Sequence, residues 1–435
     1  MQSNLENLSA LERRLSVTVP ATEINSEVES RLKRLSRTVK MHGFRPGKVP
    51  LKVVAQHYGM QVRQEVLGDA MQKSFGEAVR SQNLRVAGYP RFEPTPLAED
   101  SAEFQYSATF EIYPEVVVGD IASAAIERPV LVVGDSEVDK TLEVMRKQRA
   151  NYVPVERAAQ TGDRTTIDFR GTVDGVEFQG SSAKDQLVLL GEGRLLPEFE
   201  GNVAGMKAGE SKAFDVRFPD DYHGKEVAGK TARFEVTVKQ VAEPKLPEVD
   251  AVFAKSLGVA DGDLAQMRSE IKANLEREVR GKLKARVKDQ VMQALLDATK
   301  IAAPRSLVQM ELQRMQAGAR QELAARGLKV PDDAPLPMDM FEQQAQRRVS
   351  LGLILGEVVK ANDFFAKPEQ VRALVEEQAQ SYERPEEVVK WFYSDPERLR
   401  DLESVATEEN VVTWALGLAK VADKTVEIDD LLGKR

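Results

Sequence analysis

Residues 165–178 read TTIDFRGTVDGVEF: a strand over Thr165–Val173 followed by Asp174-Gly175, a dipeptide that readily adopts the left-handed backbone of a tight hairpin. This stretch opens a segment, Thr161–Val241, that is rich in glycine and in short alternating strands. Gln186–Leu190, Lys212–Phe218 and Thr231–Val241 are the clearest of these, and in the last Ala232, Phe234, Val236 and Val238 share a face. Leu195–Val203 fits one short helix between them. The patterning predicts a compact β-rich domain in the middle of the chain.

On the N-terminal side, Leu11, Leu15, Val17 and Val19 predict a strand within Leu8–Val19 that ends at Pro20. Ile24, Val28, Leu32, Leu35 and Val39 fall at spacings of four and three, predicting a helix over Thr22–Lys40 with most of its basic residues off the apolar face. Gly43–Pro50, GFRPGKVP, holds two glycines and two prolines, so neither helix nor strand runs through it. A second helix through Val62, Val66, Ala70 and Phe75, and strands at Leu84–Val86 and Phe104–Ile112, complete an α+β domain. Pro114 and Gly119-Asp120 then introduce a connector with a short helix at Ser136–Ala150.

On the C-terminal side, Pro244 and Pro247 mark a boundary, and Leu264, Met267, Ile271, Leu275, Val279, Leu283, Val287, Val291 and Leu295 form a stripe along one long helix. Further helices are expected at Pro304–Arg326, Met338–Ala361, Pro368–Tyr382, Pro385–Tyr393 and Pro396–Val421, several with proline in the first turn, where its missing N–H costs nothing. The fold class is therefore multidomain α+β: an α+β N-terminal domain (1–113), a connector (114–150), a β-rich domain (151–247, core 162–242) and a helical domain (248–435).

Composition bounds the function. Apolar residues at 42% and charged residues at 30% describe a folding chain, and 435 residues exceed what one core usually supports. The chain has no cysteine and only three histidines, which excludes thiol chemistry and disfavours a histidine metal site or a Ser/His/Asp hydrolase. No metal and no cofactor is expected, and no G-x-x-x-x-G-K-[ST] loop is present for a nucleotide. Met1–Ala10 carries polar and acidic residues where a secretory signal needs an apolar run, so a cytoplasmic location is expected. Val349–Val359, the most apolar helix candidate, is too short and too interrupted to span a membrane. Net charge is −8, yet the first 64 residues hold eleven Lys/Arg against five Asp/Glu, and Ser30–Gln64 contains no acidic residue. Such a patch attracts phosphate-rich or acidic partners.

Three constellations remain. The loop Gly43–Pro50 puts an aromatic, Phe44, and two cations, Arg45 and Lys48, on a turn rigidified by proline. Alone it reads as a tight helix connection with Phe44 tucked inward; the basic helix beside it favours a docking surface. The loop resembles the ribosome-binding signature of the trigger factor family, with Pro46 where many relatives carry lysine. The resemblance implies that Phe44, Arg45, Pro46, Gly47 and Lys48 contact the large ribosomal subunit near the exit tunnel, both a ribosomal protein and adjacent rRNA.

Phe169, Asp174-Gly175, Phe178, Leu195–Phe199, Gly205–Glu210, Tyr222 and Phe234, in this order and spacing, resemble the FKBP-type peptidyl-prolyl isomerase domain. Taken singly, each aromatic is ordinary core; the ordered set is what carries the resemblance. It implies an apolar catalytic pocket of Phe169, Phe178, Leu196, Phe199, Tyr222 and Phe234. Gln179 and Phe199 depart from stand-alone FKBP domains, which usually have aspartate and tryptophan there.

The helical domain carries Met310, Met315, Leu323, Met338 and Phe341, adaptable side chains suited to unrelated apolar clients, although helix packing uses the same residue types. The resemblance implies an all-α chaperone body with two arms, joined by residues near 114–150, that binds nascent and unfolded polypeptides without ATP and forms a homodimer off the ribosome. A dedicated isomerase, an envelope chaperone and a nucleic-acid-binding regulator are the rival readings. The second lacks an export signal, and the third lacks a reader motif, so no sequence-specific nucleic acid and no membrane is expected as a partner.

Overall fold

The computed structural model describes residues 2–42, 44, 47–95, 103–178, 180–193, 195–222, 224, 226–327, 338–380, 382 and 384–433, without the side chains of 338–340. The chain forms two compact units, residues 1–128 with 286–422, and residues 129–285 with 423–435.

The first unit opens with β1 (Gln2–Asn7), β2 (Glu12–Pro20), α1 (Ala21–Thr38), α2 (Leu51–Ser81), β3 (Val86–Pro94) and β4 (Glu103–Ile112). The strands make an antiparallel sheet in the order β1-β2-β4-β3. Alternation along β2 and β4 buries Leu15, Val17, Val19, Phe104, Tyr106, Ala108 and Phe110 against Ile24, Leu32, Val54, Val62, Val66 and Phe75 of the two helices. Phe75 meets Phe92 and Phe110 edge-on at 5.5 and 5.1 Å. The Tyr106 hydroxyl lies 2.7 Å from Ser74 Oγ and 3.0 Å from the Met71 carbonyl, so this core buries a polar group without orphaning it. β1 escapes sequence reading because QSNLEN has no apolar alternation; it is a largely exposed edge strand held by backbone pairing, with Leu5 as its one apolar contact to the core.

β5 (Ala125–Val130) leads into the second unit, which contains α3 (Asp135–Gln148), β6 (Asn151–Val155), β7 (Arg164–Thr172), β8 (Ser182–Leu189), α4 (Pro197–Val203), β9 (Ser211–Arg217), β10 (Thr231–Lys245), α5 (Ala251–Ser256) and the first part of α6 (Leu264–Ala298). The sheet runs β6-β10-β7-β8, with β9 also paired to β10. β10 extends beyond the predicted Val241 to Lys245 because it pairs with β6 as well as β7 and β9, all antiparallel. β6, unforeseen, is an edge strand that tolerates Pro154. Asp174 and Gly175 take φ of 52° and 81°, the left-handed pair expected of the hairpin that brings Val173 opposite Val176. In a separate cluster of the second unit, Val138 and Leu142 of α3 pack with Phe253, Met267 and Ile271.

In the first unit the later part of α6 is joined by α7 (Arg305–Ala325), α8 (Met338–Asn362), α9 (Pro368–Ala379), α10 (Pro385–Tyr393) and α11 (Pro396–Leu418). Val287, Val291, Leu295, Ile354, Val358, Val411 and Ala415 form their core, with Ile121 and Ile126 from the segment read as a connector. α7 starts against the N-terminal sheet. Its preceding Pro304 offers no side-chain cap, and Glu111 of β4 supplies one, accepting the Arg305 and Ser306 N–H groups at 3.0 and 2.6 Å. Ser306 Oγ donates to the Ala87 carbonyl at 2.9 Å, and the helix approaches so closely that a Cβ on Gly88 would lie 2.5 Å from Ser306 Cβ.

The chain finishes with β11 (Lys420–Thr425), paired to β5, and α12 (Ile428–Leu432). β11 takes up residues that the sequence reading gave to the end of a helix running to Val421. Ile428 and Leu431 pack against Val133, Leu275 and Val279 in the second unit.

Candidate functional sites

The loop between α1 and α2 is pinned by Val49, which is buried in the N-terminal core, and by Gly47, whose φ of 76° is a left-handed conformation. Its turn folds under the end of α1, and a Cβ on Gly47 would stand 3.2 Å from the Arg37 carbonyl. Phe44 does not tuck inward: 39% of it is exposed. Lys48 is exposed, as are Arg37, Lys40 and Lys52. Arg45 and Pro46 lie outside the described residues.

Not every cation of the basic segment is available. Arg31 pairs with Glu27 at 2.9 Å and Asp69 at 2.7 Å, and Lys33 with Glu29 at 2.6 Å. Hydrogen bonds to Glu27 and then Asp69 hold the Arg31 guanidinium protonated above its ordinary range. Sequence reading treated these cations alike because it cannot see that Asp69, 38 residues on, reaches α1. Among the described residues, the exposed cations Arg37, Lys40, Lys48 and Lys52 near the loop make no ion pair with a carboxylate, unlike Arg31 and Lys33 further back on α1.

In the second unit the structure brings all six predicted pocket residues together. Phe234 of β10 is the hub. Its ring centroid lies 5.3 Å from Phe199 of α4, 6.3 Å from Phe169 of β7, and 6.4 Å from Phe178. Most of these pairs meet edge to face, which suits the quadrupoles of the rings. Phe199 and Phe234 are buried, whereas Phe169, Phe178, Leu196 and Tyr222 are partly open, so the cluster has a closed floor and an accessible rim. Pro197 at the first turn starts α4 immediately after Leu196 and turns Phe199 inward.

Sequence reading missed Phe218. It is buried and stands 5.9 Å from Phe178, 4.8 Å from Tyr222 and 6.4 Å from Phe234. The alternation of Phe214 and Val216 along β9, continued by Phe218 just after the strand, was the available signal. Asp163, ahead of β7, also went unremarked: its buried carboxylate accepts two hydrogen bonds from Arg157, at 2.6 and 2.9 Å, and one from the Gln160 N–H. Burial pushes this carboxyl up, but those bonds outweigh it and hold the group below the ordinary range.

Of the five client candidates, Met310 is exposed, Met315, Leu323 and Phe341 are half-buried, and the Met338 side chain lies outside the described residues. Another apolar surface sits elsewhere in the first unit. Tyr382, Val388, Trp391, Phe392 and Leu402 line a groove of about 660 Å³ among α9, α10 and α11, with Arg398 stacked 4.0 Å from the Trp391 ring centroid.

Three family models match the chain in succession. Residues 1–145 match bacterial trigger factor protein, 155–239 match FKBP-type peptidyl-prolyl cis-trans isomerase, and 263–417 match the bacterial trigger factor C-terminus. The chain is 59% identical to the trigger factor of Nitrosospira multiformis, with both chains covered in full. The chain belongs to the bacterial trigger factor family. Trigger factors of Laribacter hongkongensis (53% identity, both chains covered in full) and Aromatoleum aromaticum (52% identity, 100% of this chain and 99% of the relative) are similar along the same length. A solved structure titled for promiscuous substrate recognition by the trigger factor chaperone covers 96% of this chain and 100% of its own, at 17% identity and a TM-score of 0.47. As a member of the trigger factor family, the chain is a ribosome-associated chaperone for nascent polypeptides and carries an FKBP-type peptidyl-prolyl isomerase domain. This replaces the three rival readings. Among the described residues no helix is long and apolar enough to cross a membrane.

Proposed function

We propose that the chain works in the cytoplasm at the large ribosomal subunit near the exit tunnel, docking through Phe44, Arg45, Pro46, Gly47 and Lys48 on a ribosomal protein and adjacent rRNA. Residues 1–113 serve docking, 151–247 isomerisation, and 248–435, joined by 114–150, hold client chains open without ATP. Met310, Met315, Leu323, Met338 and Phe341, together with the Trp391 groove, contribute the client surface. Off the ribosome the chain forms a homodimer.

The observation that carries the docking assignment is the exposure of Phe44 beside Lys40, Lys48 and Lys52 on a loop anchored by buried Val49. An anchored loop presents its ring and charges at little entropic cost on binding. Co-sedimentation with bacterial ribosomes at moderate and high salt tests it. The Phe44→Ala/Arg45→Ala/Lys48→Ala variant should fail to pellet, and wild-type binding should weaken as salt rises, since phosphate contacts release counterions. Equal pelleting of a folded triple variant means that the loop only connects two helices.

For the isomerase, Phe169, Phe178, Leu196, Phe199, Tyr222 and Phe234 do the chemistry without nucleophile or metal. The barrier, about 18–20 kcal/mol, is the amide resonance lost on twisting the bond. Water stabilises the planar, more polar amide. A prolyl ring seated on Phe199 and Phe234, with Phe169, Phe178 and Tyr222 excluding water around it, is stabilised more when twisted than when planar, and that difference is the catalysis.

A further inference from the structure

The rings of the isomerase pocket are held from behind by residues that do not line it. Gly171 on β7 lies directly opposite Phe234 on β10. A Cβ at Gly171 would stand 2.5 Å from Cε1, 2.9 Å from Cδ1 and 3.0 Å from Cζ of the Phe234 ring. The backbone of Gly171 is ordinary extended strand, so glycine is required here by the close approach of a side chain and not by a left-handed conformation. The ring cannot simply step aside, because Phe169, Phe178, Phe199 and Phe218 surround it with centroids between 5.3 and 6.4 Å away.

The same glycine reaches the rim. Its N–H donates to the Ser181 carbonyl at 2.7 Å. Ser181, only 2% exposed, then holds both main-chain polar groups of Phe178: its N–H donates to the Phe178 carbonyl at 3.0 Å, and its Oγ accepts the Phe178 N–H at 3.3 Å. Strand β7 is thus tied through Ser181 to the residue that closes one side of the pocket.

We infer that Gly171 and Ser181 are positioning residues of the isomerase, Gly171 setting the place of the Phe234 ring and Ser181 that of Phe178. The inference rests on the reading of this cluster as the isomerase site. A carbon–carbon contact of 2.5 Å has to open to about 3.5 Å, so a methyl at 171 displaces the Phe234 ring by about 1 Å. Misplacement of about that size costs up to about 100-fold in rate.

The test is a pair of double-mutant cycles on kcat/KM with a proline tetrapeptide substrate, using the full chain and checking the fold of each variant by thermal unfolding. Gly171→Ala should lower kcat/KM by about 10- to 100-fold in the wild-type background, and by less than about threefold beside Phe234→Leu, whose smaller side chain leaves room for the methyl. Ser181→Ala adds no bulk; it should lower kcat/KM several-fold, with the loss disappearing beside Phe178→Leu. It carries the test if Gly171→Ala does not fold. Equal losses in both backgrounds, or no loss in wild type, overturn the positioning role. If Phe178→Ala itself leaves turnover unchanged, it is the site assignment that fails.

Discussion

Glu111→Ala removes the acceptor that β4 lends to the N-terminus of α7. In the native chain one carboxylate takes the N–H groups of Arg305 and Ser306, while Pro304, in the N-cap position, has no side-chain acceptor to replace it. Losing an N-cap acceptor costs about 1 kcal/mol. Losing the negative charge at the positive end of the helix adds about 0.5 kcal/mol. The first turn of α7 should therefore open about tenfold more often, since about 1.4 kcal/mol is a factor of ten. Native-state hydrogen exchange reads this residue by residue: the amides of Arg305, Ser306 and Val308 should lose about tenfold protection while those of Val371 and Val375 in α9 keep theirs. Glu111→Gln, which retains one acceptor oxygen, should fall between. Protection at α7 unchanged within twofold in Glu111→Ala would mean that the Ser306–Ala87 bond and the packing at Gly88 hold the helix without the cap.

Three other outcomes follow from the same geometry. Asp163 is held below its unfolded value, so the stability it contributes is complete above about pH 4, where the free group at about 3.9 is ionised, and is lost as pH falls through the folded value; the protection factors of Ile167 and Val241, taken relative to the intrinsic exchange rate at each pH, should fall on acidification, and Asp163→Asn should flatten that dependence. Tyr106→Phe should cost about 1 kcal/mol, measured by urea unfolding of the N-terminal sheet, because it removes the buried hydrogen bonds of the hydroxyl with Ser74 and Met71. Phe178→Ala should abolish prolyl turnover while the chain still suppresses aggregation of clients without proline; loss of both activities together would tie the chaperone function to the pocket.

What was legible in the sequence was whatever buries a periodic face. The α6 stripe from Met267 to Leu295 and the Ala232–Val238 alternation on β10 each bury one side of an element where it was expected, while Leu264, the first residue of α6, is exposed. β1, β6 and β11 were missed because they are short strands whose burial is mostly slight, held by backbone hydrogen bonds that any sequence can make. The same division runs through the sites. Five rings and Leu196 were readable as a set because rings in a fixed order are distinctive, and the fold gathers them into one cluster, whereas Gly171 makes its contact through the absence of a side chain and Ser181 through bonds to the main chain of Phe178, and neither leaves a compositional mark. Phe44 was readable as unusual, but whether its ring turns in or out is decided by the folded loop and not by the residue type.

The split between floor and rim in the aromatic cluster separates stability from chemistry within one set of side chains. Phe199 touches Phe169, Phe214 and Phe234 and is buried, so truncating it to alanine leaves a cavity and costs about 3–5 kcal/mol of folding free energy besides damaging the pocket. Phe178 contacts Phe218 and Phe234 from one side and is partly open on the other, so its loss removes less packing and more of the wall that excludes water. A pocket that catalyses by shape has to be rigid where the prolyl ring rests and open where the chain enters. Buried Phe199, met edge to face by three rings, and buried Phe234, with four ring neighbours, provide the first, and half-exposed rings tied through their backbones provide the second. Comparing Phe199→Ala with Phe178→Ala should therefore give a falling melting temperature in the first and a nearly native one in the second, with turnover lost in both.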